Sequence, residues 1–311
     1  MNKSVQIVAD IGGTNARFAY VSADSDELLG VEILASADFP QFIDTIRHYI
    51  ECAQLSHIDQ ICLAVAATVS QDWIGFGNNH WAFSCAELRE ALGIPVTVIN
   101  DFHAQALSID GLADNEFMWI GEPRPTKDSV KAVLGPGTGL GMSGLLSGGH
   151  IVPSEGGHIG FSPLDDHQQA LHKILRQRYG RVSTERVLSG MGLSNLYWAN
   201  SKLLGYDREL GPAEITAKAH TGDLCSVKTI DDFFAILAAV AGDVALMMGA
   251  TGGVYISGGI VPRLLENFDA KTFRHRFEDK GRASDLCVIA PLAIVLAKQP
   301  GLRGCVAVLR R

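Results

Sequence analysis

The sequence predicts an α/β protein of two domains, and three observations support this fold class. The chain has 311 residues, and a domain usually has about 150 residues. Runs typical of strands alternate with runs typical of helices through the first hundred residues. Three apolar runs end in the glycine-rich turns DIGGT, GPGTG and SGG, one in each third of the chain. Two similar halves that each open with such a turn would account for this pattern.

The first glycine turn lies within VADIGGTNARFAY, residues 8–20. The runs before and after it are each typical of a strand, and residues 12–15 between them are too polar for a core. The two glycines permit φ > 0 and leave backbone N–H groups uncovered, which suits an anion. Asp10 would repel that anion unless a cation lies between them, so a phosphate with Mg²⁺ is one interpretation. An ordinary hairpin turn, with its Asp and Asn bonded to their own backbone, is the other.

The next elements extend an initial hairpin into β–α units. Residues 40–55 predict a helix with Pro40 in its first turn and an apolar face made of Ile43, Ile46, Ile50 and Ala53. SCAELREAL begins with Ser84 and has Glu87 three residues later, which is typical of a capped helix start. The runs IDQICLAVAATV and PVTVIND have the composition of strands.

The opening pattern returns after the proline-rich loop EPRPTKDSV. KAVLGPGTGLG and GGVYISGGIVP are each a short strand that runs into a glycine turn, and we predict helices in LDDHQQALHKILRQRYG, GPAEITAKAH and IDDFFAILAAVAGDVALMMG. Each glycine turn alone could serve only to let neighbouring elements pack closely. The three turns together favour a different explanation, in which they bind one ATP between two domains. A P-loop is excluded because G-x-x-x-x-G-K-[ST] does not occur, and GPGTGLG has its third glycine out of register for a dinucleotide fingerprint.

Composition favours a small-molecule ligand. The formal net charge is −8 without a basic cluster, which argues against nucleic acid and against an anionic membrane as partner. The N-terminus runs directly into the first strand, and the apolar segment FFAILAAVAGDVALMMG contains Asp243 and is short for a membrane span, so we expect a cytoplasmic protein. The six cysteines show no CxxC pair, which indicates reduced, packed thiols and no zinc site.

Nine motifs together resemble the bacterial glucokinase family in order and approximate spacing: VADIGGTNAR, NNHWAFS, VINDF, LGPGTGLG, PSEGGH, STERVLSG, GGVYISGGIVPR, FEDKGR and PGLRG. The glycine motifs are shared across the actin, heat-shock ATPase and hexokinase superfamily, whereas INDF with EGGH and TERVLSG is specific to glucokinase-like sugar kinases. The resemblance implies a two-domain ribonuclease-H-like (actin-like ATPase) fold, with ATP and glucose in an interdomain cleft, and commonly a homodimer. It implies a small domain at 1–110 plus 293–311 and a large domain at 111–292.

The family's functional residues carry over onto matching positions of this sequence. The resemblance implies that Asp101 is the catalytic base for ATP-dependent phosphorylation of D-glucose to glucose 6-phosphate, the first step of glycolysis. The implied glucose ligands are Asn100, Asp101, Glu155, His158 and Glu185. Asp10 would hold Mg²⁺ through water, and the implied ATP contacts are Ala9, Asp10, Ile11, Gly12, Gly13, Thr14, Asn15, Gly137, Thr138, Gly139, Gly258 and Gly259.

Three of these residues also have structural explanations. Asp101 ends a strand, where open α/β sheets present ligand groups, but it would equally cap a helix over FHAQALSI. His158 precedes the apolar IGF and is alternatively a core histidine. Glu185 is alternatively an acid in the first turn of a helix capped by Ser183 or Thr184.

The sequence departs from the family pattern in two loops. Ala67 and Thr68 stand where these kinases often have a small residue followed by Pro, and GNNHW stands where TN, two residues and Trp are usual. These loops lie near the sugar in the family, so a hexokinase that prefers another hexose is one alternative. An actin-like ATP-binding module without a sugar acceptor is the other. The related branch with a zinc-binding CxCG cluster is disfavoured, because no two cysteines have that spacing and no helix-turn-helix precedes Asp10.

Overall fold

The chain divides into two compact units in a computed structural model that describes residues 4–77, 79–125 and 128–311. The first unit comprises the chain up to Ala113 together with Ala297–Arg311, and the second is Asp114–Leu296. The C-terminal segment therefore packs with the N-terminal third of the sequence. That these units act as the small and large functional domains stays a prediction.

The strands and helices follow one another along the chain. They are β1 (Val5–Ile11), β2 (Asn15–Ser22), β3 (Leu29–Ala35), α1 (Phe42–Cys52), β4 (Ile58–Val65), β5 (Trp73–Gly75), β6 (Ala82–Ser84), α2 (Cys85–Leu92), β7 (Val96–Asn100), α3 (Asp101–Ser108), β8 (Phe117–Trp119), β9 (Lys131–Pro136), β10 (Leu140–Leu145), β11 (Ile151–Ser154), α4 (Asp166–Tyr179), α5 (Gly190–Leu203), α6 (Pro212–His220), α7 (Leu224–Met248), β12 (Gly253–Ile256), α8 (Ala270–Glu278), α9 (Ser284–Ile289), β13 (Leu292–Val295) and α10 (Pro300–Leu309).

A five-stranded sheet with the order β3-β2-β1-β4-β7 forms the centre of the first unit. Strands β1 and β2 form the predicted antiparallel hairpin, and β1, β4 and β7 run parallel. Because side chains alternate between the faces of a strand, β1 contributes to two cores. Ile7, Ala9 and Ile11 belong to the core on one face, whereas Val8 packs on the other face with residues of α3 and α10. Asp10 is two residues after Val8, so its side chain lies on the same face of the strand and faces these two helices.

The predicted start of α2 is confirmed, whereas the predicted start of α1 is not. Ser84 caps α2 by accepting a hydrogen bond from the Glu87 N–H at 3.1 Å, as predicted. The prediction that Pro40 lies in the first turn of α1 is wrong, because the helix begins at Phe42 after Gln41. Gln41 has an extended backbone, with φ −126° and ψ 146°, and this conformation separates Pro40 from the helix.

A six-stranded sheet with the order β11-β10-β9-β12-β13-β8 forms the centre of the second unit. Strand β12 is parallel to β9 and to β13, while β9 and β10 form an antiparallel hairpin. Helix α7 is buried along most of its length and begins at Leu224, earlier than the predicted segment, because Asp223 caps it through the Ser226 N–H at 3.0 Å. Within the described residues, no helix combines the length and apolarity needed to cross a bilayer.

Candidate active site

The hairpin between β1 and β2 shapes the first glycine turn. The Gly12 N–H donates to the Asn15 carbonyl at 3.0 Å, so this group closes the turn and is not left uncovered as expected. Gly12 does not adopt a positive φ, so it does not use the conformational freedom that glycine permits. The Asn79 amide donates to the Gly12 carbonyl at 3.4 Å, a contact that the sequence did not predict. The loop that departs from the family pattern therefore touches the candidate phosphate turn.

Asp10 is a half-buried carboxylate at the end of β1. Its closest cationic neighbour is Arg17 on β2, whose Nη1 lies 3.8 Å from the Asp10 Oδ2. Burial raises the pKa of the Asp10 carboxyl, and the charge of Arg17 lowers it by less. The sequence interpretation of Asp10 as an acid beside the turn thus agrees with its position, since the turn begins two residues later.

Asp101 is the first residue of α3 and follows the last residue of β7. Its carboxylate accepts a hydrogen bond from the Phe102 N–H at 3.0 Å, which favours the ionised form. Burial nevertheless raises its pKa from 3.8 to about 7, and the negative charge of Asp10 adds to this rise. The structure therefore brings Asp10 and Asp101 close enough for their charges to interact, as expected for one site.

Asn100 is the residue that caps α3, so the structural alternative for Asp101, a cap of this helix, is wrong. The Asn100 Oδ1 accepts from the Phe102 N–H at 2.9 Å and from the His103 N–H at 3.3 Å. Its Nδ2 donates to the Ala67 carbonyl at 3.2 Å, which ties the helix start to a loop that departs from the family pattern. The Asn100 side chain also forms a hydrogen bond with the Asp101 carboxyl group, which acts to lower the pKa of that group.

The second glycine turn, residues 137–139, joins β9 to β10 in the second unit. The Gly137 N–H donates to the Gly139 carbonyl at 2.8 Å, and the Gly190 N–H donates to the Gly137 carbonyl at 2.9 Å. The Leu140 N–H donates to the Glu185 Oε2 at 2.9 Å. A Cβ at Gly139 would lie 2.4 Å from this Oε2, so a side chain at 139 would displace the Glu185 carboxylate from its present position.

Glu185 and His158 meet beside that turn. The Glu185 Oε1 lies 3.9 Å from the His158 Nδ1, and the His158 side chain is 61% exposed, so the alternative of a core histidine is wrong. The helical alternative for Glu185 is met in part: Glu185 lies in the first turn of a short 3₁₀ helix, Thr184–Arg186, but Ser183 makes no side-chain cap there, and the next α-helix begins at Gly190. Both side chains are therefore placed to meet a polar ligand.

Glu155 opens the tight turn that ends at His158. The His158 N–H donates to the Glu155 carbonyl at 3.0 Å. A Cβ at Gly157 would lie only 2.0 Å from the Leu140 carbonyl oxygen. This close approach fixes the PSEGGH turn against β10, so Glu155, His158 and Glu185 belong to one region of the second unit.

The third glycine turn interlocks with the second through the backbone. A Cβ at Gly135 would lie 2.3 Å from the Ser257 carbonyl oxygen, and a Cβ at Gly258 would lie 2.6 Å from the Pro136 carbonyl oxygen. Gly258 has φ +98°, a conformation that side-chain-bearing residues rarely adopt. The adjacent Gly259 has open space around its Cα. The structure thus brings together two of the turns that the resemblance assigns to ATP.

A cavity of about 350 Å³ opens next to this region. Its walls include Ile159, Phe161, Ile236, Val240 and Met247. The lining is mainly apolar but also contains Ser162, Gln168, Thr184 and Asp243. The implied glucose ligands of this unit, Glu155, His158 and Glu185, do not line the cavity, so we keep the polar residues at the turns as the glucose-ligand candidates.

Asp10 fits a magnesium ion that keeps most of its water ligands. The described residues contain no group of three or more His, Cys, Asp or Glu side chains that could hold a metal. Asp10 is an acid whose pKa is raised by burial, and it lies near a second carboxyl group that repels it. Mg²⁺ usually keeps several waters and uses one or two carboxylates with substrate phosphates, which suits Asp10.

Three comparisons with known proteins agree with this arrangement. A family model described as Glucokinase matches residues 7–311. A glucokinase of Chromohalobacter salexigens is 42% identical over 303 residues, which cover 96% of this chain and 95% of that protein. The crystal structure of a glucokinase from an Antarctic psychrotroph is 34% identical, covers 98% of both chains and superposes with a TM-score of 0.88.

A more distant structure shares the fold. The ROK family glucokinase from Streptomyces griseus, solved with glucose and AMPPNP, is 19% identical, covers 98% of both chains and has a TM-score of 0.68. These likenesses confirm the predicted fold class, the ribonuclease-H-like fold of actin-like ATPases.

The raised pKa of Asp101 makes stability depend on pH. Between about pH 4 and 7 the folded state retains a proton that the unfolded state has lost, so this residue lowers stability as pH rises through that window. Asp101→Asn removes the ionised form, and we expect it to raise Tm by several degrees at pH 8 but hardly at pH 4.5. Asp44→Asn, in the first turn of α1, is the matched control. Equal changes in Tm at both pH values would contradict the assignment.

Proposed function

The chain belongs to the glucokinase family, and from this membership we propose that it transfers the γ-phosphoryl group of ATP to the 6-hydroxyl group of D-glucose, the first step of glycolysis. The observation that carries the proposal is the Asp101 carboxyl group, which follows β7 directly and whose pKa is raised to about 7 by burial and by the nearby charge of Asp10. A base with a pKa near the working pH combines an available ionised form with a useful affinity for the proton.

Phosphoryl transfer sets modest chemical demands on a protein. The transition state is loose, so catalysis depends mainly on alignment and on stabilising the negative charge of the phosphoryl oxygens. Asp101 accepts the proton of the 6-hydroxyl group as the oxygen attacks. Asn100 fixes the direction of the Asp101 backbone by capping α3. The alternative of a hexokinase for another hexose keeps this chemistry and changes the acceptor.

ATP and Mg²⁺ are the proposed donor and metal. AMPPNP is bound by the Streptomyces griseus protein of the same fold, which supports a nucleoside triphosphate donor. We propose that the turns at 12–15 and 137–139 hold the phosphates, while Gly258 and Gly259 allow the backbone to approach the adenosine. Mg²⁺, held by Asp10 through water, would neutralise charge on the β- and γ-phosphates.

Glucose recognition is assigned to polar side chains on both units. We propose that Asn100 in the first unit, and Glu155, His158 and Glu185 in the second, bind sugar hydroxyls. The exposed imidazole of His158 and the half-buried carboxylate of Glu185 support this role. Such groups would discriminate between sugars, because a wrong sugar would cover these polar atoms without pairing them.

The proposed setting is the cytoplasm, and the proposed assembly is a homodimer. All six cysteines are unpaired and five of them are buried, which supports a reducing compartment. The homodimer rests on the family resemblance, and analytical ultracentrifugation would test it.

Asp101→Asn tests the proposed base. The substitution keeps the shape of the side chain and removes its ability to accept a proton, so we expect kcat to fall by roughly 10²–10⁴ while the KM for glucose changes little. In the unmodified enzyme, kcat/KM should fall about tenfold per pH unit below a pH near 7, because the base becomes protonated. The measurement is a coupled assay for glucose 6-phosphate, with Asp44→Asn as control. Near-normal turnover of the variant would show that Asp101 is not the base. If the unmodified protein hydrolysed ATP at the same rate with and without glucose, the actin-like module would be favoured instead.

His158→Ala tests the proposed sugar contacts. Loss of the imidazole should raise the KM for glucose at least tenfold and leave the KM for ATP within about twofold, because the lost contacts belong to the sugar. His275→Ala, an exposed histidine on α8, is the matched control. Equal losses of affinity for both substrates would favour a purely structural role for His158.

A further inference from the structure

Helix α10 contains the motif PGLRG, to which the proposed function assigns no role. One face of this helix, made of Gly301, Gly304 and Cys305, contacts both elements that carry the acids. Residues three and four apart lie on the same side of a helix, so these three positions point in one direction. The Cys305 Sγ lies 3.5 Å from the carbonyl oxygen of Ala9, the residue before Asp10.

Gly304 sets how closely α10 approaches α3. A Cβ at this position would lie 1.8 Å from the Ala104 carbonyl oxygen and 2.6 Å from the Ala104 Cα. Both are backbone atoms of the helix that begins at Asp101, and they cannot move without moving that helix. Glycine at 304 therefore permits a backbone-to-backbone contact that fixes α3 against α10.

Gly301 meets Asp10 itself. A Cβ at Gly301 would lie 2.9 Å from the Asp10 Cγ and 3.0 Å from its Oδ2. These atoms are the end of a side chain that rotates, so a larger residue at 301 would turn the Asp10 carboxylate without displacing the backbone of β1. Gly301 itself is buried, so an added methyl group at this position would have to be accommodated by its neighbours.

The start of α10 is fixed in an unusual conformation. Gln299, the residue before the helix, has φ 56° and ψ 49°, in the left-handed region that non-glycine residues rarely adopt. Pro300 then occupies the first helical position with its φ preset for a helix. These two residues set the point at which the helix begins, and therefore the place of Gly301 opposite Asp10.

We propose that Gly301 is a positioning residue for the phosphoryl-transfer reaction: the absence of a side chain at 301 sets the direction in which the Asp10 carboxylate faces. This inference rests on the proposed function, because the direction matters to catalysis only if Asp10 serves the phosphates of ATP and their magnesium ion. The contact itself is a property of the folded chain and can be measured without any substrate.

A double-mutant cycle on stability tests the contact. Gly301→Ala should lower the urea midpoint of the unmodified protein, since the added methyl group collides with Asp10. An Asp10→Ala background removes the Cγ and Oδ2 atoms and leaves only the Cβ, 3.3 Å from the added methyl group. The same substitution should there cost much less or be stabilising, because alanine favours helices over glycine. Val306→Ala, a buried residue of the same helix, is the control and should cost the same in both backgrounds.

Every outcome of this cycle is decisive. If Gly301→Ala alone fails to fold and the double variant folds, Asp10 is the obstacle and the inference stands. If the two substitutions are additive, or if the double variant also fails to fold, the added methyl group meets something other than Asp10 and the inference is overturned. None of these results depends on kinase activity, so failure of the proposed function would be recognised separately.

Kinetics of Gly301→Ala test the positioning role. We expect kcat to fall at least tenfold and the Mg²⁺ concentration for half-maximal activity to rise, while the KM for glucose stays within about twofold. At a temperature where both variants are folded, Val306→Ala should change neither kcat, nor the Mg²⁺ concentration for half-maximal activity, nor the KM for glucose. Unchanged kcat and unchanged Mg²⁺ dependence in Gly301→Ala would overturn the positioning role even if the stability cycle shows the contact.

Discussion

The burial of the Asp101 carboxyl group near Asp10 is the interaction on which the proposed mechanism depends. A pKa of about 7 instead of 3.8 corresponds to roughly 4 kcal/mol against the ionised form, at 1.36 kcal/mol per unit. Domains are stable by only about 5–15 kcal/mol, so this unfavourable burial requires support from elsewhere. The support is local: Asn100 caps α3 and bonds to the Ala67 carbonyl, and α10 packs against α3 at Gly304 without intervening side chains. The same burial that costs stability makes a carboxylate basic enough to accept a proton near neutral pH.

The second unit meets a different constraint, which is the close approach of three backbone turns. Gly135 and Gly258 allow two of them to touch, and Gly157 allows the PSEGGH turn to touch β10. Glu185 then links the turns by accepting a hydrogen bond from the Leu140 N–H while its other oxygen faces His158. A carboxylate shared in this way connects the proposed phosphate turn to the proposed sugar ligands. Substitutions that fill any of these spaces would disturb both groups of ligands together.

Local signals in the sequence predicted more of this structure than long-range contacts did. The Ser84 cap, the first hairpin and the strand before each glycine turn follow from neighbouring residues, and all of them are present. A cap of α3 by Asp101 was the structural alternative in the sequence, and it was wrong by one position. Asn100 has the extended backbone of a capping residue, whereas Asp101 already belongs to the helix. The contact between Gly301 and Asp10 joins residues from the two ends of the chain. The sequence analysis included Gly301 only as part of the PGLRG motif and predicted no partner for it. Such contacts depend on tertiary packing, which periodicity and capping rules do not encode.

The pKa of Asp101 is the quantity that tests this account most directly. It can be measured by ¹³C NMR of protein labelled at aspartate side chains, titrated without Mg²⁺ or nucleotide, with Asp101→Asn used to assign the resonance. The account predicts one carboxyl resonance that titrates with a midpoint of about 7 and that is absent from the variant. A midpoint below about 5, near the ordinary range of aspartate, would contradict it, because Asp101 would then be an exposed helix-terminal acid with no special affinity for a proton.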